Sequence, residues 1–211
     1  MKSLSEAQIA KLTSLFRFGA TEASHALSLW IDQKASVSVD RLEQLCVNEA
    51  TDSLGPAEAT ICGCMMSMAG RIQGTILFCF DDASGLLLCD WLLKRDVASD
   101  AWNELETSCV METSNIVACA YLNSLASEFG RNTDENKTSQ TEQNVWVPTP
   151  PQFVRDYAAS ILEFAVMSQA AEFDTILVAR TTFQIAERPM TWSLLLIPDA
   201  PSLEAIKKVL G

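Results

Sequence analysis

Two stretches far apart in the chain repeat one pattern. Residues 75–94 read TILFCFDDASGLLLCDWLLK, and residues 192–210 read WSLLLIPDAPSLEAIKKVL. Each is an apolar run, an Asp turn and a short amphipathic segment, which predicts strand, turn and helix. Asp82-Ala83 aligns with Asp199-Ala200. A long helical pattern opens each half. Over 5–34 the apolar positions are Ile9, Leu12, Leu15, Phe16, Gly19, Ala20, Ala23, Leu27 and Trp30, with Ser5 placed to cap the start; the second long helix is expected over about 99–128. We therefore expect one domain over 1–211 made of two related halves, 1–98 and 99–211. Strands arrive in hairpins, not after crossover helices, so the expected class is α+β, a duplicated domain with two long helices and further helices packed on a largely antiparallel sheet.

The remaining segments fill this frame. Residues 36–47 begin as a strand, and 51–58, with Gly55 and Pro56, read as a turn. Strands at 59–68 and 73–80 read as a hairpin, followed by a helix at 84–94. Residues 131–143 (RNTDENKTSQTEQ) are polar and without period, and read as a flexible loop. Residues 144–152 read as a short extended piece broken by prolines, 153–170 as a helix, 173–186 and 190–198 as strands, and 201–210 as a closing helix.

Charge and composition exclude several functions. The formal net charge is −12, and no cluster of Lys and Arg appears, so neither nucleic acid nor an anionic membrane is an expected partner. No stretch approaches the ~18 apolar residues of a membrane-crossing helix, and MKSLSEAQIAKL lacks a secretory apolar run, so a cytoplasmic location is expected. The seven cysteines lie scattered in apolar runs and read as reduced core residues; Cys62 and Cys64 share a strand face, with no second pair or His beside them to complete a metal site. No GxGxxG or P-loop is present. The one histidine, His25, reads as structural or exposed, and the five tryptophans as core and helix–sheet contacts.

Residues 105–126 read LETSCVMETSNIVACAYLNSLA. On a helix, Ser108, Glu112, Asn115 and Cys119 fall within an arc of about 60°. Val110, Val117 and Tyr121 take the opposite side, with Leu125 at its edge. The polar set therefore faces outward and the apolar set meets the core. By itself such a face reads as solvated surface.

Set in a duplicated α/β chain, Ser-x-x-x-Glu-x-x-Asn on a long helix resembles the signature of the CheC/CheX/FliY chemotaxis phosphatases, most closely CheC. Residues 8–30 resemble the family's first motif helix, 108–119 (SCVMETSNIVAC) its second, and 148–164 (PTPPQFVRDYAASILEF) its Pro-Pro segment with the helix that follows. The resemblance implies hydrolysis of the aspartyl phosphate of a CheY-like response regulator. Asn115 would position the attacking water, Glu112 would pair with the receiver's active-site lysine, and Ser108 would support the contact. It implies no cofactor on this chain, with Mg²⁺ held by the receiver. The alternative it implies is a non-catalytic adaptor that binds a receiver or the deamidase CheD. Two departures stand out. The first-helix positions matching Ser108, Glu112 and Asn115 are Ala10, Ser14 and Arg17, which predicts a dead first site. Cys119 stands where the family usually has glycine, adding a side chain at the docking surface. Two fused halves can complete the sheet internally, so a monomer is expected.

Overall fold

The apolar run at the end of each half has no polar face, which calls for a strand covered on both sides. A computed structural model describes residues 3–56, 58–70, 72–96, 99–131, 146–167, 176–185 and 188–211. The elements in order are α1 (Glu6–Ile31), β1 (Ala35–Leu45), α2 (Val47–Leu54), β2 (Thr60–Ala69), β3 (Gly74–Phe80), α3 (Asp82–Leu92), α4 (Glu104–Arg131), β4 (Val147–Pro148), β5 (Gln152–Tyr157), α5 (Ala158–Met167), β6 (Ile176–Ile185), β7 (Arg188–Pro198) and α6 (Ala200–Leu210).

Among the described residues, seven strands form one sheet in the order β1-β6-β7-β3-β2-β4, with β5 also on β2. All of its pairings are antiparallel. The order is symmetric about the central β3–β7 pair. β1, from the first half, pairs with the β6–β7 hairpin; β5, from the second half, pairs with the β2–β3 hairpin. Each half thus lends its first strand to the other's hairpin. β4 and β5 are successive pieces on one edge of β2, separated by the prolines at 150 and 151, which cannot donate to a ladder.

Successive side chains of β3 and β7 enter two different cores. Ile76, Phe78, Phe80, Leu194 and Leu196 pack with α1 and α4. Leu77, Cys79, Leu195 and Ile197 pack with α5 and with Ala50 of α2 on the other face. Trp192 lies in the larger core, stacked on Phe80 at 4.1 Å between ring centroids.

α1 crosses α4 at Gly19, where a Cβ would lie 2.6 Å from Tyr121 Cδ1 and 3.0 Å from the Tyr121 Cα. α1 is capped by Ser5, as the sequence suggests, and Gln8 completes a capping box. Its polar side covers the outer edge of β1. Ser28 and Ser24 exchange hydrogen bonds with the backbone of Ala35 and Val37, and Arg17 donates to the carbonyls of Val39 and Asp40 at a β-bulge. An edge strand is thereby closed to further pairing.

Several expectations need correction. Residues 51–54, read as the start of a turn, instead close the helix α2, which begins at Val47 and is capped by Glu49 on the Cys46 N–H. Residues 153–157 continue the sheet as β5, and the helix begins only at Ala158. The aligned aspartates are Asp81 and Asp199, each an N-cap that accepts from a Ser N–H three residues on (Ser84 at 2.6 Å, Ser202 at 2.8 Å). Asp82 is therefore outside the repeat. Trp30 is exposed, unlike buried Trp146 and Trp192. Arg131 ends α4, and the rest of the polar stretch 131–143 lies outside the described residues.

Candidate functional site

α4 is fixed at its start by a buried polar network. Glu106 is 0% exposed and pairs through Oε1 with Arg95 Nη1, which also meets the Ser99 hydroxyl. The Ser99 N–H and O–H in turn donate to Asp90, and the Arg95 N–H donates to the Asp90 carbonyl at 2.9 Å. Burial pushes the Glu106 carboxyl up, but backbone hydrogen bonds and Arg95 outweigh it and hold it below the usual range. The end of α3 is thereby tied to the first turn of α4, where a carboxylate also suits the helix dipole.

From this anchor α4 sends its apolar side into the core. Val110, Val117, Tyr121 and Leu125 are buried, with Tyr121 stacked on Phe16 at 5.0 Å between ring centroids. On the opposite side Ser108 and Glu112 are exposed and Asn115 is half-buried. Leu105, one turn before Ser108, continues the stripe and is exposed. Half-buried Cys119 donates through Sγ to Asn115 Oδ1 at 3.7 Å. Burial, and then the Glu112 carboxylate, pushes the Cys119 thiol up, so it keeps its proton. The stripe thus presents one group that only accepts and one carboxamide that both donates and accepts. His25 lies exposed on α1.

The first-helix counterparts are engaged elsewhere. Ala10, Ser14 and Arg17 are all exposed, Ser14 donates to the Ala10 carbonyl, and Arg17 is spent on the β1 edge.

A second constellation was not foreseen from sequence. Asp82, in the first turn of α3, accepts from Arg155 of β5 at 2.9 and 2.6 Å, from Trp102 Nε1 at 2.8 Å and from Cys62 Sγ at 3.2 Å. The Arg155 guanidinium holds the Asp82 carboxyl well below the usual range. Asp82, Trp102 and Arg155 line an open cavity of 360 Å³ with Leu86, Asp100 and Ala101. Its guanidinium is already neutralised and Asp100 adds a further acid, so the cavity is not an anion site. The signal for Arg155 was present: Phe153, Val154 and Tyr157 favour strand directly after two prolines. Among the described residues no group of three or more His, Cys, Asp or Glu is arranged to hold a metal ion. None of the described helices is long and apolar enough to cross a membrane.

No protein-family model matches the chain. Solved structures do share its fold. FliY of Thermotoga maritima superposes with a TM-score of 0.73 at 10% identity, covering 99% of this chain and 98% of that one. A chain of the FliG–FliM complex of H. pylori gives 0.69 at 14% identity, covering 97% and 100%. A chain of the CheX–CheY–BeF3–Mg²⁺ complex of Borrelia burgdorferi gives 0.50 at 14%, covering 88% and 96%. The fold is that of the CheC/CheX/FliY type, helices on a largely antiparallel sheet, as the resemblance implied.

Proposed function

We propose that this chain docks a CheY-like receiver on the exposed stripe of α4 and hydrolyses its aspartyl phosphate. The observation that carries the reading is the stripe itself: Ser108 and Glu112 exposed beside Asn115, in a fold shared with FliY and with a chain of a CheX–CheY complex.

An aspartyl phosphate is a reactive acyl phosphate and lacks chiefly a water held in line with the breaking P–O bond. A carboxamide can accept a hydrogen bond from that water, and so orient it, without bringing a full charge near the phosphoryl oxygens. Asn115 takes that role. A hundredfold gain needs only about 2.7 kcal/mol, within reach of orientation alone. Glu112 is ill-suited as a base beside a dianion and instead docks the receiver's lysine, with Ser108 in support. The Mg²⁺ that neutralises the phosphoryl charge belongs to the receiver, and this chain supplies no ligand to it in the proposal. The half built on α1 takes no part, since Arg17 is committed to β1.

The test is inorganic phosphate released from a phosphorylated receiver in Mg²⁺. Wild type should exceed the receiver's own rate and Asn115→Ala should fall back to it. Unchanged turnover in Asn115→Ala would remove Asn115 from the reaction.

A further inference from the structure

We infer that Cys119 is a positioning residue for Asn115, its thiol fixing which end of the carboxamide faces a docked phosphoryl group. The inference rests on the role proposed above for Asn115.

Residues four apart on a helix lie one above the other, so Cys119 sits one turn beyond Asn115 on the same stripe. Its Sγ is 3.7 Å from Oδ1, a weak S–H···O contact that the larger sulfur radius permits. The terminal torsion of an Asn side chain is broad and roughly two-fold, so oxygen and nitrogen ends exchange readily when nothing holds them. The thiol donates to Oδ1, and the flipped amide could offer Sγ only an N–H, for which sulfur is a weak acceptor. Oδ1 has a second lone pair, left free for a proton of the attacking water, and both Nδ2 hydrogens turn away from Cys119. The thiol is kept protonated by its burial and by Glu112, so the donor is present at neutral pH. Glycine at this position would leave Asn115 unheld.

A hydrogen bond of this strength favours one orientation about threefold to tenfold. Cys119→Ala removes the donor and keeps most of the bulk. With the two orientations then about equally populated, we expect its kcat for phosphate release to fall by a factor of about 1.5 to 2 with KM unchanged. Cys119→Ser, which restores a donor, should bring kcat back. A merely steric role would move KM and would not distinguish Ser from Ala.

A second readout does not need turnover. In the ¹⁵N-labelled protein the Asn115 side-chain NH₂ pair is assigned by its loss in Asn115→Ala. That pair should shift in Cys119→Ala and stay near its wild-type position in Cys119→Ser. An unmoved pair in Cys119→Ala overturns the inference. So does a moved pair with unchanged kcat, or a folded Cys119→Ser that fails to recover. If wild type releases no phosphate beyond the receiver's own rate, the proposed function fails, and the NH₂ pair alone decides whether Cys119 holds the carboxamide.

Discussion

Gly19→Ala should destabilise the protein, although helix propensity alone predicts the reverse. In a helix, replacing Gly by Ala gains about 1 kcal/mol. Here the new Cβ would stand 2.6 Å from Tyr121 Cδ1, 3.0 Å from Ser124 Oγ and 3.0 Å from Tyr121 Cα. Carbon atoms that touch settle at about 3.5–4.0 Å, so the ring must yield by roughly 1 Å. It has little room to do so, because Tyr121 is 1% exposed and stacked on Phe16. The clash with the main chain of α4 can relax only if the two helices part. Overpacking of this kind costs about 1–3 kcal/mol, and a clash with backbone belongs in the upper part of that range. With the propensity gain subtracted, the net loss is about 1–2 kcal/mol. For an m-value of about 2 kcal/mol/M, the urea midpoint falls by about 0.5–1 M with m unchanged. Tryptophan fluorescence during urea unfolding measures it. A midpoint equal to or above wild type would mean that α1 and α4 do not approach as closely as described.

Two further outcomes concern the polar clusters beside α4. Asp82 has a lowered pKa in the folded state, so its contribution is present above the unfolded carboxyl pKa of about 4 and is lost as pH falls below it. Asp82→Asn should therefore lower the urea midpoint at pH 7, and the gap to wild type should close on acidification. Both Asp82 and Arg155 are more than a third exposed (37% and 47% for their side chains), so the gap should be small; a gap that widens in acid would contradict the sign. Arg95→Ala leaves the Glu106 carboxylate buried without its partner and should cost about 3 kcal/mol in urea unfolding. Adding Glu106→Gln should recover part of that, since a neutral amide is cheaper to bury. A cost under about 1 kcal/mol for Arg95→Ala would mean that the network does not hold the start of α4.

The apolar runs of β3 and β7 were legible because burial on both faces leaves few polar positions to misread. Val110, Val117 and Tyr121 on one side of α4, against Glu112 and Ser108 on the other, followed from helical spacing alone. What sequence missed depends on contacts between distant segments. Phe153, Val154 and Tyr157 favour strand, but the run is short and leads straight into the helical residues from Ala158, and pairing with β2 sets where strand ends and helix begins. Misplacing that boundary hid Arg155, and with it the clamp on Asp82. The aspartate register slipped by one because Asp81 and Asp82 are adjacent and only cap geometry tells them apart. Arg17 was legible as a poor match to Asn115, but its engagement with the β1 edge was not. The contact of Cys119 with Asn115 needed only their spacing of four, yet a thiol at a position expected to hold glycine reads first as bulk.

Docking and turnover separate the two residues on which the proposed function turns. The decisive measurement is the affinity for a BeF3-activated receiver in Mg²⁺, set beside the rate of phosphate release, for wild type, Glu112→Ala and Asn115→Ala. We predict that Asn115→Ala binds within about twofold of wild type but releases phosphate no faster than the receiver alone, while Glu112→Ala binds more weakly. An Asn115→Ala protein that binds and still turns over at the wild-type rate would contradict the proposed role of the carboxamide.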